Sequence, residues 1–139
     1  MKATDLRIGN LVTDEFYDSF NTILKVESIN EFGINLIIED DGNYPEIASR
    51  WIEPELTFDK LRGIPLTEEW LLKFGYKGRK DFKWNGSIVG IQIKDGKFYL
   101  GIKDLGNVLF HSVVEIKTVH HFQNLYYFLT NEELTYDIN

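Results

Sequence analysis

Four dipeptides constrain the fold of this chain more than any other feature. Asp41-Gly42, Asn85-Gly86, Asp95-Gly96 and Gly106-Asn107 each lie between runs that carry apolar residues. Asn-Gly and Asp-Gly reach the positive-φ conformations of a tight hairpin at little steric cost, so they predict antiparallel pairing of the flanking runs.

In the first half, residues 7–12 lead into a short strand. Residues 22–29 form the next, with Leu24, Val26 and Ile29 turned inward. A turn over 30–33, a strand over 34–38, the Asp-Gly turn over 40–43 and a further strand over 47–52 complete a small, curled, barrel-like antiparallel sheet. Pro54 and Pro65 then bracket a stretch in which neither the strand nor the helix period is sustained. The expected organisation is one compact unit of two lobes: an acidic β-lobe over 1–58, a connecting segment over 59–62 and an α+β lobe over 63–139.

The second lobe opens on a short helix. Thr67 is its N-cap, Glu68 and Glu69 sit at the positive end of its dipole, and Gly75 provides a left-handed stop. A meander follows over 81–84, 87–93, 98–102 and 108–114, in which Phe98, Leu100 and Ile102 share one face and Tyr99 takes the other. Thr118 caps a second helix whose Val119, Phe122, Leu125, Tyr126 and Leu129 recur at three- and four-residue spacing. That helix is expected to pack on the meander. Thr130-Asn131-Glu132-Glu133 resembles a capping box opening a final turn. The fold class is α+β.

Composition narrows the chemistry. The chain has no cysteine, which removes disulfides, thiolate metal sites and a cysteine nucleophile. It has no apolar run long enough for a membrane span, and an acid precedes any apolar core at the start, so a cytoplasmic protein without a secretory signal is expected. Charge is uneven. Residues 1–60 hold thirteen acids and five bases, while residues 61–139 hold nine acids and ten bases. An acidic first half disfavours general binding of duplex nucleic acid, which needs a basic footprint.

Three segments carry a family resemblance. Leu6-Arg7-Ile8-Gly9-Asn10-Leu11-Val12, the run from Ile64 to Tyr76 (IPLTEEWLLKFGY) and the run from Val119 to Leu134 (VHHFQNLYYFLTNEEL) are similar, in order, to segments of a family of small proteins. That family is encoded in gut Bacteroidetes genomes and in their phages and prophages. The resemblance implies a bacterial or phage cytosol and brings no established activity. The chain departs from the pattern where ten residues separate Glu53-Pro54 from Pro65, and where Asn131 stands in place of a glycine.

Two groups of residues are candidate binding sites. On the second helix, His120, Gln123, Asn124 and Tyr127 offer hydrogen bonds and flat rings on an expected polar face. Between the first helix and the meander, Lys77, Arg79, Lys80 and Trp84 interleave with Tyr76 and Phe82, a pattern suited to a nucleotide or single strand held by charge and stacking. No phosphate-loop, calcium-loop or nucleophile-elbow motif is present. No catalytic residue, cofactor or metal set is therefore expected. Only His111 with His121 and a carboxylate would lead to a metal-assisted hydrolase or nuclease, because His120 and His121 diverge by roughly 100° on a helix. The leading expectation is a non-catalytic accessory protein engaging a host or phage protein. A small anionic ligand or nucleotide is the alternative, and a homodimer through an unpaired sheet edge is open.

Overall fold

A computed structural model of the chain describes residues 5–19, 21–30, 33–40, 42, 61–103 and 110–137. Two antiparallel sheets and three helices give an α+β fold, divided into compact units over Met1–Ile64 and Pro65–Asn139. That division assigns thirteen acids and six bases to the first unit, a charge of −7, and nine of each to the second.

The first unit begins with a stitched turn. Gly9 takes φ +94°, and the side chain of the buried Asn10 accepts a hydrogen bond from the Arg7 N–H at 2.7 Å. Gly9 N–H donates to Val26 O and Val26 N–H donates to Asn10 O, which ties the turn to the middle of the sheet. The Gly-Asn pair therefore fixes where β1 (Leu11–Asp14) starts. Asp14 then caps a single helical turn, α1 (Glu15–Asp18), by accepting from Tyr17 N–H at 2.7 Å. Strands β2 (Ile23–Asn30), β3 (Gly33–Asp40) and β4 (Leu61–Gly63) complete a sheet in the order β3-β2-β1-β4.

Cross-strand register explains the core of this unit. Leu24 pairs with Val12 and Ile38, and Val26 pairs with Leu36, so these side chains share one face. A register shift between Val26 and Ser28 inserts Glu27, which moves the inward parity from even to odd positions. Ile29 thereby meets Ile34 and packs against the buried cluster of Leu6, Val12, Leu24, Val26, Ile34, Leu36, Ile38 and Leu61. Among the described residues the expected barrel-like sheet is antiparallel but not a closed barrel: β3 and β4 are its outer strands and do not pair with each other. Residues 61–63 pair with β1, so the connecting segment expected at 59–62 overlaps a strand of this sheet. The strand expected over 47–52 lies outside the described residues.

In the second unit, α2 (Glu68–Lys73) starts where Thr67 accepts from Trp70 N–H at 3.3 Å. It stops in a Schellman motif: Gly75 at φ +79° donates to Leu72 O, and Tyr76 N–H donates to Leu71 O. Five strands follow as a meander in sequence order: β5 (Lys77–Arg79), β6 (Phe82–Trp84), β7 (Val89–Lys94), β8 (Lys97–Lys103) and β9 (Phe110–Ile116). Asp95 and Gly96, at φ +53° and +74°, form the two-residue turn between β7 and β8. The turn expected at Gly106-Asn107 lies outside the described residues.

Helix α3 (Val119–Thr130) packs against β7. Its Phe122 is fully buried, with ring centroids 5.5 Å from Phe74, 5.3 Å from Tyr76 and 6.4 Å from Tyr126. Asn131 ends the helix in the left-handed conformation at φ +59°, the role a glycine would fill. The capping box expected at Thr130–Glu133 is corrected accordingly: residues 131–137 contain no helix, and Thr130 Oγ1 accepts from Glu132 N–H after donating back to Tyr126 O. At the other end, Thr118 accepts from His121 N–H at 3.4 Å. Thr118→Ala should cost about 1 kcal/mol, measured as a lower urea midpoint at unchanged slope.

Candidate functional site

The two faces of the meander differ in kind. Val89, Ile91 and Leu100 share one face with Ile116, and all four are buried. The opposite face, set by period-two alternation, carries Lys77 and Arg79 on β5, Phe82 and Trp84 on β6, Gln92 on β7 and Tyr99 on β8.

Register arranges these residues in two rows. Lys77 stands opposite Trp84, which stands opposite Gly90, and Gly90 opposite Gly101. Arg79 stands opposite Phe82, then Gln92, then Tyr99, with Glu115 closing the row on β9. Directly opposed residues on one face have Cβ atoms about 4.5–5.5 Å apart, so each ring of β6 has a cation as its neighbour across the strand. Lys77 and Arg79 are exposed, Trp84 is 39% exposed, and Phe82, Gln92 and Tyr99 are half-buried.

Local chemistry holds this edge in place. Gly78 lies between the two cations at φ +149°, and a Cβ there would stand 2.6 Å from Phe82 O, so only glycine keeps β5 in contact with β6. Trp84 Nε1 donates to Ser87 O, which orients the indole. Arg79 Nε lies 3.8 Å from Asp81 Oδ1 with both side chains largely in solvent, a pair worth about 0–1 kcal/mol that leaves the guanidinium accessible. Lys83, one residue out of phase, faces the other side and reaches Gly78 O at 3.5 Å. Lys80 is exposed in the turn between β5 and β6, in neither row.

The helix candidates are placed differently. His120 and Gln123 are buried, at 9% and 2% exposure, while Asn124 is half-buried and Tyr127 is 37% exposed. The polar face expected for this helix is thus corrected. Its packed stripe runs through Val119, Phe122, Gln123 and Tyr126, and His120 flanks that stripe. Nδ1 of His120 is buried with no hydrogen bond of its own, although the residue makes other interactions. Asn124 and Tyr127 remain as surface groups beside Phe128, which is 84% exposed.

Among the described residues no three His, Asp or Glu side chains gather as a metal site, and the side chain of His111 lies outside them. No described helix is long and apolar enough to cross a membrane. Gln92 and Tyr99 join the basic and aromatic group although sequence reasoning did not select them. The meander placed their strands in order after β6, but the register across the loop at 85–88, which sets Gln92 opposite Phe82, was not visible. The chain matches no family model, no curated protein and no solved structure.

Proposed function

We propose that the chain is a non-catalytic binding protein whose second unit holds a flat, anionic ligand of the nucleotide class on the Lys77–Tyr99 face of its meander. One observation carries this proposal: each ring of β6 has a cation directly opposite it on the same face. Stacking on the ring takes the base, and the cation takes the phosphate. The near-neutral charge of this unit favours an anion here more than in the first unit. The resemblance of three segments to proteins of gut Bacteroidetes and their phages supports a bacterial cytoplasm as the setting and a mobile-element accessory role.

A thermal-shift titration with nucleoside mono- and diphosphates tests the proposal. A nucleotide at a hundred times its dissociation constant should add about 2.7 kcal/mol of stability. Arg79→Glu should abolish that gain without lowering the transition of the free protein, since the side chain is exposed. No stabilisation by any nucleotide would overturn the proposal.

Phe128 favours a second reading, in which a host or phage protein docks on the outer side of α3. An aromatic side chain that is 84% exposed beside Tyr127 and Asn124 is the type of anchor that dominates protein interfaces. Phe128→Asp should then release a captured partner and leave nucleotide binding intact.

A further inference from the structure

We infer that the occupant of the meander face is a single strand of nucleic acid, with consecutive bases laid on Trp84 and Phe82 and its phosphates against Lys77 and Arg79. This rests on the binding role proposed above and names its ligand.

The spacing of the rings selects the strand form. Trp84 and Phe82 are two residues apart on β6, and Lys77 and Arg79 are two residues apart on β5. At about 3.4 Å per residue, each pair repeats every ~6.8 Å. Successive nucleotides of a duplex strand rise only about 3.4 Å and stack on one another. Two bases lying one on each ring must therefore be unstacked from each other, which a single strand permits and a duplex does not.

The cross-strand register supplies the charge at the same interval. Lys77 opposes Trp84 and Arg79 opposes Phe82, so the unit of one ring and one cation occurs twice along the hairpin. Among the described residues strand β5 is the outer strand of the sheet, so both cations lie on its rim and both rings lie one strand further in. A nucleic acid strand running parallel to β6 would turn its phosphates to that rim and its bases over the sheet. Gln92, next inward from Phe82, brings a carboxamide that can donate to and accept from a base edge. Glu115 closes the row beyond Tyr99 and sets the far limit for an anion. Gly78 is a positioning residue: it has no contact role of its own and keeps the two cations in register with the two rings.

Fluorescence anisotropy with a mononucleotide, a dinucleotide, a longer oligothymidylate and a duplex tests the inference. The dinucleotide should bind at least about ten-fold more tightly than the mononucleotide, because a second base gains a second ring. The single strand should bind more tightly than the duplex of equal length. With two phosphates contacted, log affinity should fall against log salt with a slope near −1.4, and Lys77→Gln or Arg79→Gln should each reduce that slope by about 0.7. Trp84→Ala should lose most of the dinucleotide's advantage, and Trp84→Phe should restore much of it, which separates loss of stacking from loss of folding. A dinucleotide binding no tighter than the mononucleotide would overturn the single-strand inference and leave nucleotide binding standing. Equal affinity for the duplex, or for an acidic peptide of matched charge, would overturn it as well. Absence of binding to every probe would overturn both.

Discussion

Tyr76→Ala should destabilise the second unit by about 3–5 kcal/mol, read from urea denaturation. Two side-chain contacts and one backbone hydrogen bond meet at this residue, which has no exposed surface. Its N–H closes the Schellman motif that ends α2, its ring meets Phe122 at 5.3 Å, and its hydroxyl donates to Val89 O at 3.0 Å. Tyr76 thus links α2, α3 and β7. The alanine variant removes the ring and the shorter of two side-chain hydrogen bonds to Val89 O, leaving the one from Ser87 Oγ at 3.3 Å. Tyr76→Phe keeps the ring and removes only the hydroxyl, so its cost should fall to about 1–3 kcal/mol.

The same pair of variants has a pH signature. Burial pushes the Tyr76 phenol above its ordinary value of 10.0, outweighing the opposite effect of a hydrogen bond with Ser87. Above pH 10 the unfolded chain releases this proton while the folded chain retains it, so stability declines with rising pH. The contribution is complete below the unfolded value and is lost as pH rises toward the folded one. Urea midpoints followed from neutral pH to above pH 10 should fall more steeply for the native chain than for Tyr76→Phe. Parallel curves would contradict this role.

Leu24→Ala should cost about 2–5 kcal/mol in the first unit. Leu24 lies at the centre of the sheet, paired with both Val12 and Ile38, and is fully buried. Its neighbour Lys25 faces the other way and lies 3.9 Å from Glu39, with about a third of its side chain exposed. Lys25→Ala should therefore change stability by no more than about 0.5 kcal/mol. Adjacent residues with such unequal effects would confirm the strand parity. Similar effects from both would contradict it.

Much of the second unit was legible because local signals there agree with the fold. Thr67 and Thr118 cap the helices that the sequence predicts, Gly75 stops the first of them, and Asp95-Gly96 makes the expected two-residue turn. Asn85-Gly86 was only partly legible. It lies in a four-residue loop between Trp84 and Val89, because Ser87 turns its N–H to the Asn85 side chain and delays the next strand. In the first unit, α1 spans only four residues, too few for a helical period, and is recognisable chiefly from the capping role of Asp14. Strands β4 and β5 have three residues each, below the length at which alternation can be counted.

The candidate site divides along similar lines. Lys77, Arg79 and Trp84 were selectable from composition, since basic and aromatic residues interleave there. Lys80 shared that composition but falls in a turn, outside the two rows. The strand order was legible from the turn dipeptides, but the placement of Gln92 and Tyr99 in the row of Phe82 depends on the register across the four-residue loop at 85–88, which no local pattern encodes. On α3 the difficulty was angular. His120 and Gln123 are polar by type, yet the helix turns them toward its packed side, because the stripe is centred on Val119 and Tyr126 instead of between Phe122 and Leu129.

The most direct measurement of the central claim is an amide and indole chemical-shift titration of the isotope-labelled chain with a nucleoside monophosphate. Saturable shifts are expected at Lys77, Gly78, Arg79, Phe82, Trp84 and Gln92, with the Trp84 indole among the largest. Shifts confined to α3 around Asn124, Tyr127 and Phe128, or no saturable shifts at all, would contradict it.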